Sequence, residues 1–181
     1  KYNVYLIVIC FVLLALVSCF KKKDAESSDK LTVVATTGMI ADVVEHIAGE
    51  KVHIVGLMGP GVDPHLYRPS EGDVRLLNKA DLILYNGLHL EYKMLDLFNH
   101  LKVKKPVIAV TETIPKDSLL APIDYEGLYD PHVWFDMTLW AYVVDTITTA
   151  LIDLLPAEKA YFLSQKDAYL SEFMAVKQAT L

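Results

Sequence analysis

The sequence has very little cysteine, and this scarcity limits the kinds of site that the chain can build. Among 181 residues there are only two, Cys10 and Cys19, and both lie near the amino terminus. The rest of the chain therefore offers no thiolate for a disulfide bond or a cysteine metal site. It also lacks an HExxH zinc motif, a GxSxG nucleophile motif and a glycine-rich phosphate loop. These absences argue against the common hydrolases and nucleotide-binding enzymes.

Basic residues are outnumbered by acidic ones. The chain has 17 Lys and Arg against 23 Asp and Glu, which gives a formal net charge of −6. Nucleic-acid-binding domains usually carry a basic patch or stripe, so this balance argues against a nucleic-acid partner. A negative field attracts cations, although an acidic balance is too common to identify a ligand.

The only long apolar run lies at the start of the chain. Residues 2–18 contain almost no polar side chain and end in Leu-Val-Ser before Cys19. The run is slightly shorter than the ~20 residues of a comfortable membrane span. Its ending is typical of a bacterial lipoprotein signal, so we predict a signal peptide at 1–18 and lipidation at Cys19. An uncleaved anchor is the alternative. The polar residues 19–30 are predicted to form a flexible tether on the extracytoplasmic side.

Strand and helix patterns alternate from residue 31 onwards. Short apolar segments predict strands, and segments with helical spacing of apolar residues predict helices between them. This alternation predicts an α/β fold with an open parallel sheet of about four strands and helices on both faces. A long helix pattern at 137–155 ends at Pro156, and a second pattern covers 157–181. The predicted strands are 31–36, 51–58, 81–86 and 106–110, and the predicted helices between them are 38–49, 70–80 and 91–102.

The triplet Asp-Pro-His occurs twice, at 63–65 and 130–132. Proline fixes its own φ and restricts the residue before it, so each histidine follows a stiff segment. One such triplet is most simply an ordinary loop. Two of them, after the second and fourth predicted strands, lie at the edge of the sheet where ligands gather, and favour a shared site. Neutral imidazole binds Zn, Mn or Fe, with Asp63 and Asp130 available to support His65 and His132.

The other histidines are weaker candidates. His89 lies in "NGLHLE" after the third predicted strand, where it is a ligand, a supporting group or a packing residue. His46 and His100 lie in helix patterns and His53 in a strand pattern. We expect core or surface roles for these three. Asp136, after the second triplet, is expected to cap the helix that follows.

Four segments together resemble the TroA-like solute-binding lipoproteins of ABC importers for zinc and manganese. The resemblance extends from about residue 31 to the end, with the signal ahead of it, and no single segment is specific by itself. The segments, in chain order, are "TTGMIADVVEHIAG", "GVDPHLYRPSEGDV", "ADLILYNGLHLE" and "DPHVWFD".

The resemblance implies two α/β lobes joined by one long helix, with a metal in the cleft between them. His65 and His132 match the two ligands that the amino-terminal lobe supplies, and two more ligands come from the second lobe. His89 matches a histidine that lies near the metal without normally binding it. The implied function is delivery of zinc or manganese, or iron, to a membrane permease with its ATPase, by a monomer that is lipid-anchored and not an enzyme.

On this basis residues 31–155 are expected to form the metal-binding lobe, and 157–181 to begin the interlobe helix. We expect the second lobe to be absent from these 181 residues, metal binding by the chain alone to be weak, and the helix after Pro156 to lack partners. In the family that the chain resembles, zinc-dedicated members often carry a histidine-rich acidic loop before the second triplet. The corresponding stretch 111–129 contains no histidine, so the resemblance leans slightly towards the manganese, zinc and iron subgroup.

Three other functions remain open from the sequence. A metallohydrolase would use the same histidines as ligands and Asp63 or Asp130 as base, but it needs a further ligand and an open site for water. An adhesin-like surface lipoprotein would bind a host ligand regardless of chelators. A remnant without function is the third.

Overall fold

The computed structural model describes residues 30–122 and 127–179, with side chains left out at 174 and 176–179. The predicted signal peptide at 1–18, the lipidation of Cys19 and all of the predicted tether except Lys30 lie outside the described residues. The predicted domain boundaries remain expectations.

Four short strands form one parallel sheet. The sheet order is β2-β1-β3-β4, so β1 and β3 occupy the centre. Val34 of β1 pairs with Val55 on one side and Ile83 on the other, which fixes the register. The predicted fold class, an open parallel α/β sheet of four strands, is confirmed. The strands are β1 (Thr32–Ala35), β2 (His53–Gly56), β3 (Leu82–Tyr85) and β4 (Val107–Ala109).

Helices cover both faces of this sheet because its strands are apolar on both sides. Val33 and Ala35 share one buried cluster with residues of α1 and α4, while Val34 and Ile83 share the other with residues of α2 and α3. Alternate residues of a strand point to opposite faces, which produces this division. The helices are α1 (Gly38–Ala48), α2 (Glu71–Lys79), α3 (Leu95–Lys102), α4 (Met137–Leu154) and α5 (Lys159–Ala179).

Two helices begin at side-chain caps. Asp136 accepts hydrogen bonds from the backbone N–H groups of Thr138 and Leu139, at 2.7 and 3.2 Å, as predicted for the start of α4. Ser70 caps α2 and forms a reciprocal capping box with Asp73. Such caps satisfy N–H groups that a helix leaves unpaired, and they fix where the preceding loop ends.

The helix after Pro156 packs against the lobe. Phe162 of α5 is fully buried in the cluster that contains α1 and α4. Lys166 Nζ lies 2.9 Å from Asp145 Oδ1 of α4, and the ring of Tyr169 lies 5.3 Å from that of His46 of α1. The prediction that this helix lacks partners is therefore wrong. The aromatic side chain of Phe162, in its first turn, is buried by the lobe.

Candidate metal site

The loops that follow the strands meet at one edge of the sheet. His65 lies in the loop after β2, His89 in the loop after β3, and His132 in the segment between β4 and α4. The structure brings His65 and His132 together, with their Nε2 atoms 3.4 Å apart and their ring centroids 5.4 Å apart. Both side chains are exposed.

The separation of these two nitrogens suits a shared metal ion. Two nitrogens that each lie about 2.0–2.1 Å from a tetrahedral zinc ion are about 3.3–3.4 Å apart. The observed 3.4 Å is long for a direct hydrogen bond, since N–H···O bonds cluster at about 2.9–3.0 Å. The pair is therefore arranged to bind one ion with little movement.

The two Asp-Pro-His triplets use the same local hydrogen bond. Asp63 Oδ1 accepts from the backbone N–H of His65 at 2.9 Å, and Asp130 Oδ1 accepts from that of His132, also at 2.9 Å. This turn, closed by an aspartate side chain, fixes the backbone of each histidine relative to the proline before it. Both triplets therefore form the same hydrogen-bonded turn.

Asp130 also contacts the ring of its histidine. Its Oδ1 lies 2.6 Å from His132 Nδ1. A proton on Nδ1 that is donated to this carboxylate leaves Nε2 with a free lone pair, and Nε2 is the atom that faces His65. The backbone N–H of His132, with further help from its ring, lowers the pKa of Asp130 despite partial burial. The carboxylate is thereby kept ionised as an acceptor.

His89 lies beside the pair. A cleft of about 400 Å³ is lined by His65, His89, Asp130 and His132 together with apolar and proline residues. Across residues 30–122 and 127–179, no set of three or more His, Cys, Asp or Glu side chains is placed to hold a metal ion together. The described residues therefore offer two convergent imidazoles, with His89 and Asp130 lining the same cleft.

Glu91 is a buried acid at this edge whose role the sequence did not reveal. It is 1% exposed, and its carboxylate accepts hydrogen bonds from the Thr36 hydroxyl at 2.6 Å and from the N–H groups of Asn86 and Gly87 at 2.7 and 3.2 Å. Burial raises the pKa of Glu91, although these hydrogen bonds oppose the rise. The only sequence signal is an acid at the start of the predicted helix 91–102, a few residues after a strand.

The first triplet is tied to α2 by the tyrosine that follows it. Tyr67 donates from its hydroxyl to Asp73 Oδ2 at 2.9 Å, and Asp73 belongs to the capping box of α2. Burial, together with this hydrogen bond and the charge of Asp73, raises the pKa of Tyr67 to about 12. The phenol therefore remains a hydrogen-bond donor at all physiological pH values.

The remaining histidines lie on the surface. His46, His53 and His100 are all exposed, and His46 Nδ1 lies 2.8 Å from the Asp42 carbonyl oxygen within its own helix. None of these three lines the cleft that contains His65 and His132.

The fold and the position of the histidine pair define a class: an α/β lobe whose candidate ligand site lies at the carboxyl ends of parallel strands. The chain belongs to the family described as zinc-uptake complex component A, periplasmic, whose model matches residues 33–180. The resemblance drawn from the four segments is confirmed.

Individual relatives agree with this assignment. The chain is 51% identical over 150 residues to the zinc-binding protein TroA of Treponema pallidum, which covers 83% of this chain and 48% of that protein. It is 43% identical over 162 residues to the manganese-binding lipoprotein MntA of Bacillus subtilis, covering 89% of this chain and 53% of that protein. The chain thus spans about half the length of the curated relatives it matches.

A solved structure shows the same architecture. The periplasmic zinc-binding protein TroA from Treponema pallidum superimposes with a TM-score of 0.80 at 48% sequence identity, over 83% of this chain and 53% of that one. The fold described above is therefore that of about half of a larger binding protein of known structure.

Proposed function

We propose that this chain provides the amino-terminal half of the metal site in a solute-binding protein that delivers a divalent transition metal to an ABC importer. The observation that carries the proposal is the 3.4 Å separation of the Nε2 atoms of His65 and His132. The relatives named for zinc and manganese support these two metals as cargo, and iron is a further candidate because imidazole also binds iron.

Two imidazoles leave half of a four-coordinate site unfilled. Both rings are exposed, so the open positions of a bound ion would face away from the lobe. We propose that further protein groups outside the described residues, or water, complete the coordination. A site closed on all four sides by protein binds more firmly than one with open positions. The chain by itself is therefore expected to bind metal weakly.

The proposed setting is the extracytoplasmic face of a membrane. Support comes from the predicted lipidation of Cys19 and from the relatives described as periplasmic or as lipoproteins. The proposed partners are the permease and ATPase of an importer, and the chain is proposed to act as a monomer. Because the relatives are named as binding proteins, we propose that it releases its ion unchanged and catalyses no reaction.

A metal titration tests this function. We expect the full chain, kept in a mild detergent, to bind one Zn²⁺ or Mn²⁺ and to melt at a higher temperature when the ion is added. An ion at 100 times its Kd stabilises the folded state by about 2.7 kcal/mol. The double change His65→Ala and His132→Ala should remove both effects.

The matched control is the double change His46→Ala and His53→Ala, which removes two exposed imidazoles remote from the cleft. This variant should bind as the unchanged chain does. Binding that survives in the His65 and His132 variant would refute the assignment of these ligands. Because binding by this chain alone is expected to be weak, the titration extends to high ion concentrations, and the absence of any binding even there would refute the function itself.

A further inference from the structure

The segment between β3 and α3 contains three consecutive residues in the left-handed region of backbone conformation. The φ angles are 88° at Gly87, 51° at Leu88 and 64° at His89. A side chain in this region crowds its own backbone, so the conformation is strained at each non-glycine residue. Such a conformation persists only where its surroundings hold it. The structure therefore has to contain groups that restrain this turn.

Glu91 supplies that restraint. Its two carboxylate oxygens accept from the backbone N–H groups of Asn86 and Gly87, the residues that open the turn. The Thr36 hydroxyl, just after β1, donates to the same carboxylate at 2.6 Å. The turn after β3 is thus attached to the end of the neighbouring central strand. Gly87 cannot be replaced without a clash, since an added Cβ would lie 2.8 Å from Thr111 Oγ1.

Asn86 extends this network to the second triplet. Its Nδ2 donates to the carbonyl oxygen of Pro131 at 3.1 Å, and Pro131 directly precedes His132. Its own carbonyl oxygen accepts from Thr111 Oγ1 at 2.7 Å. Asn86 is 1% exposed, so neither hydrogen bond has water as a ready substitute. The position of His132 therefore depends on Asn86, whose side chain binds Pro131 and whose backbone N–H binds Glu91.

The network also reaches the first triplet through the main chain. The carbonyl oxygen of Thr36 accepts from the N–H of Met58 at 3.0 Å, where the loop that leads to His65 begins. Glu91 thus contacts Thr36 and Asn86, which are hydrogen-bonded to the two histidine-bearing loops. Glu91 itself does not line the cleft.

We propose that Glu91 is a positioning residue that acts through Asn86 to set the separation of His65 and His132. The proposal rests on the function assigned above and deepens it. Burying a carboxylate costs free energy that its hydrogen bonds have to offset. A positioning role explains why a buried acid stands at this point of the fold. Groups that orient metal ligands without touching the metal typically change affinity by about 10- to 100-fold when they are altered.

The first experiment replaces the carboxylate by an amide of the same shape. In Glu91→Gln one acceptor becomes an NH₂ donor, which opposes the N–H groups of Asn86 or Gly87. We expect the affinity of the full chain for Zn²⁺ to fall about 10- to 100-fold. The visible absorption bands of bound Co²⁺ should shift, because they report the geometry of the ligands. A lower melting temperature with unchanged affinity and unchanged Co²⁺ bands would overturn the proposal.

The matched control is Asp81→Asn. Asp81 Oδ2 accepts from the backbone N–H of Thr32 at 2.7 Å, which is the same kind of bond at the opposite end of the sheet. This variant should lower the melting temperature and leave the Zn²⁺ affinity and the Co²⁺ bands unchanged. An equal loss of affinity in the control would show that any loosening of the sheet weakens the site, and would also overturn the proposal.

The route through Asn86 is tested by a double-mutant cycle. Asn86→Ala removes the donor to Pro131, and we expect it to weaken binding on its own. If Glu91 acts through Asn86, the double variant should lose little more affinity than the single variant that binds Zn²⁺ more weakly. Fully additive losses would refute this route. Thr36→Val, which removes one donor to the carboxylate, provides a milder test if Glu91→Gln does not fold.

A measurement without metal separates this inference from the proposed function. Nuclear Overhauser contacts between the ring protons of His65 and His132 report the separation of the rings directly. We expect these contacts in the unchanged chain and in Asp81→Asn, and their loss in Glu91→Gln. Contacts that persist in Glu91→Gln would refute the positioning role. A chain that shows the contacts, loses them in Glu91→Gln and yet binds no metal would refute the proposed function and leave the positioning role supported.

Discussion

In the loop at 63–65 the aspartate binds only the backbone of its histidine within the part of the chain that the structure describes, whereas at 130–132 it binds backbone and ring. Asp130 Oδ1 lies 2.6 Å from His132 Nδ1, while Asp63 Oδ1 accepts the 2.9 Å bond from the His65 N–H. Identical triplets therefore hold their imidazoles to different degrees. The second loop fixes the tautomer and the ring orientation of His132, whereas the first fixes only the backbone of His65.

The loops also differ in what holds them from outside. The second is joined to the central strands through Asn86 and Pro131, and the first is joined to a helix through Tyr67 and Asp73. The comparison indicates that the two histidines are restrained to different degrees. In the proposed site, His132 would be held in position before an ion arrives, and His65 would be freer to adjust to it.

Removing one imidazole at a time should produce the largest effects. His132→Ala and His65→Ala should each lower Zn²⁺ affinity by more than about 100-fold, because altering groups outside the ligand set alone costs about 10- to 100-fold. Isothermal titration of both variants measures the losses. The comparison predicts a greater loss for His132→Ala, because the remaining His65 ring is the less restrained ligand. A greater loss for His65→Ala would contradict it.

Removing the aspartates should separate the two loops more directly. Asp130→Ala should weaken Zn²⁺ binding about 10- to 100-fold, since it frees both the ring and the backbone of its histidine. Asp63→Ala should weaken binding less, since it frees a backbone alone. Titrations carried out under identical conditions decide the question. Equal losses would mean that the ring contact of Asp130 adds nothing to binding.

The smallest effect is expected at the outer anchor of the first loop. Burial acts to raise the pKa of Asp73, but hydrogen bonds from Ser70 and Tyr67 outweigh it and lower the pKa. A lowered pKa in the folded state means that the stability from this group is present above its ordinary pKa and is lost as the pH falls through the folded value. Asp73→Asn should cost about 1 kcal/mol at neutral pH, as for the loss of a helix cap.

The pH dependence provides the check for this prediction. The difference in unfolding free energy between Asp73→Asn and the unchanged chain should shrink as the pH falls below about 4, where an ordinary aspartate is protonated. Urea unfolding at a series of pH values measures it. Zn²⁺ affinity at neutral pH should change little. A difference in stability that grows in acid would contradict the assigned sign.

Much of the fold was predictable because its signals are local. Apolar runs such as those around Val34 and Ile83, capping residues such as Ser70 and Asp136, and the alternation of strand and helix each depend on a few neighbouring residues. The meeting of His65 and His132 could be expected for a related reason. The carboxyl ends of parallel strands share one edge, so topology alone predicts that two loops that follow strands are neighbours.

What could not be predicted depends on contacts between distant segments. Glu91 resembles the start of an amphipathic helix, and its burial follows from Thr36, which lies 55 residues away in the sequence. The packing of α5 depends on a surface formed by α1 and α4, which no local pattern describes. Phe162 is fully buried there, although a periodic sequence alone does not say which partner will cover it.

The distance along the chain between the two imidazoles has a consequence for folding. His65 and His132 are 67 residues apart in sequence, with β3 and β4 between them. An unfolded chain that gripped one ion with both rings would have to close this loop, at a cost of about 4 kcal/mol in chain entropy. Coordination of one ion by both imidazoles is therefore favoured in chains whose sheet has already assembled. Under the proposed function, an ion bound by both histidines would therefore favour the folded chain over the unfolded one.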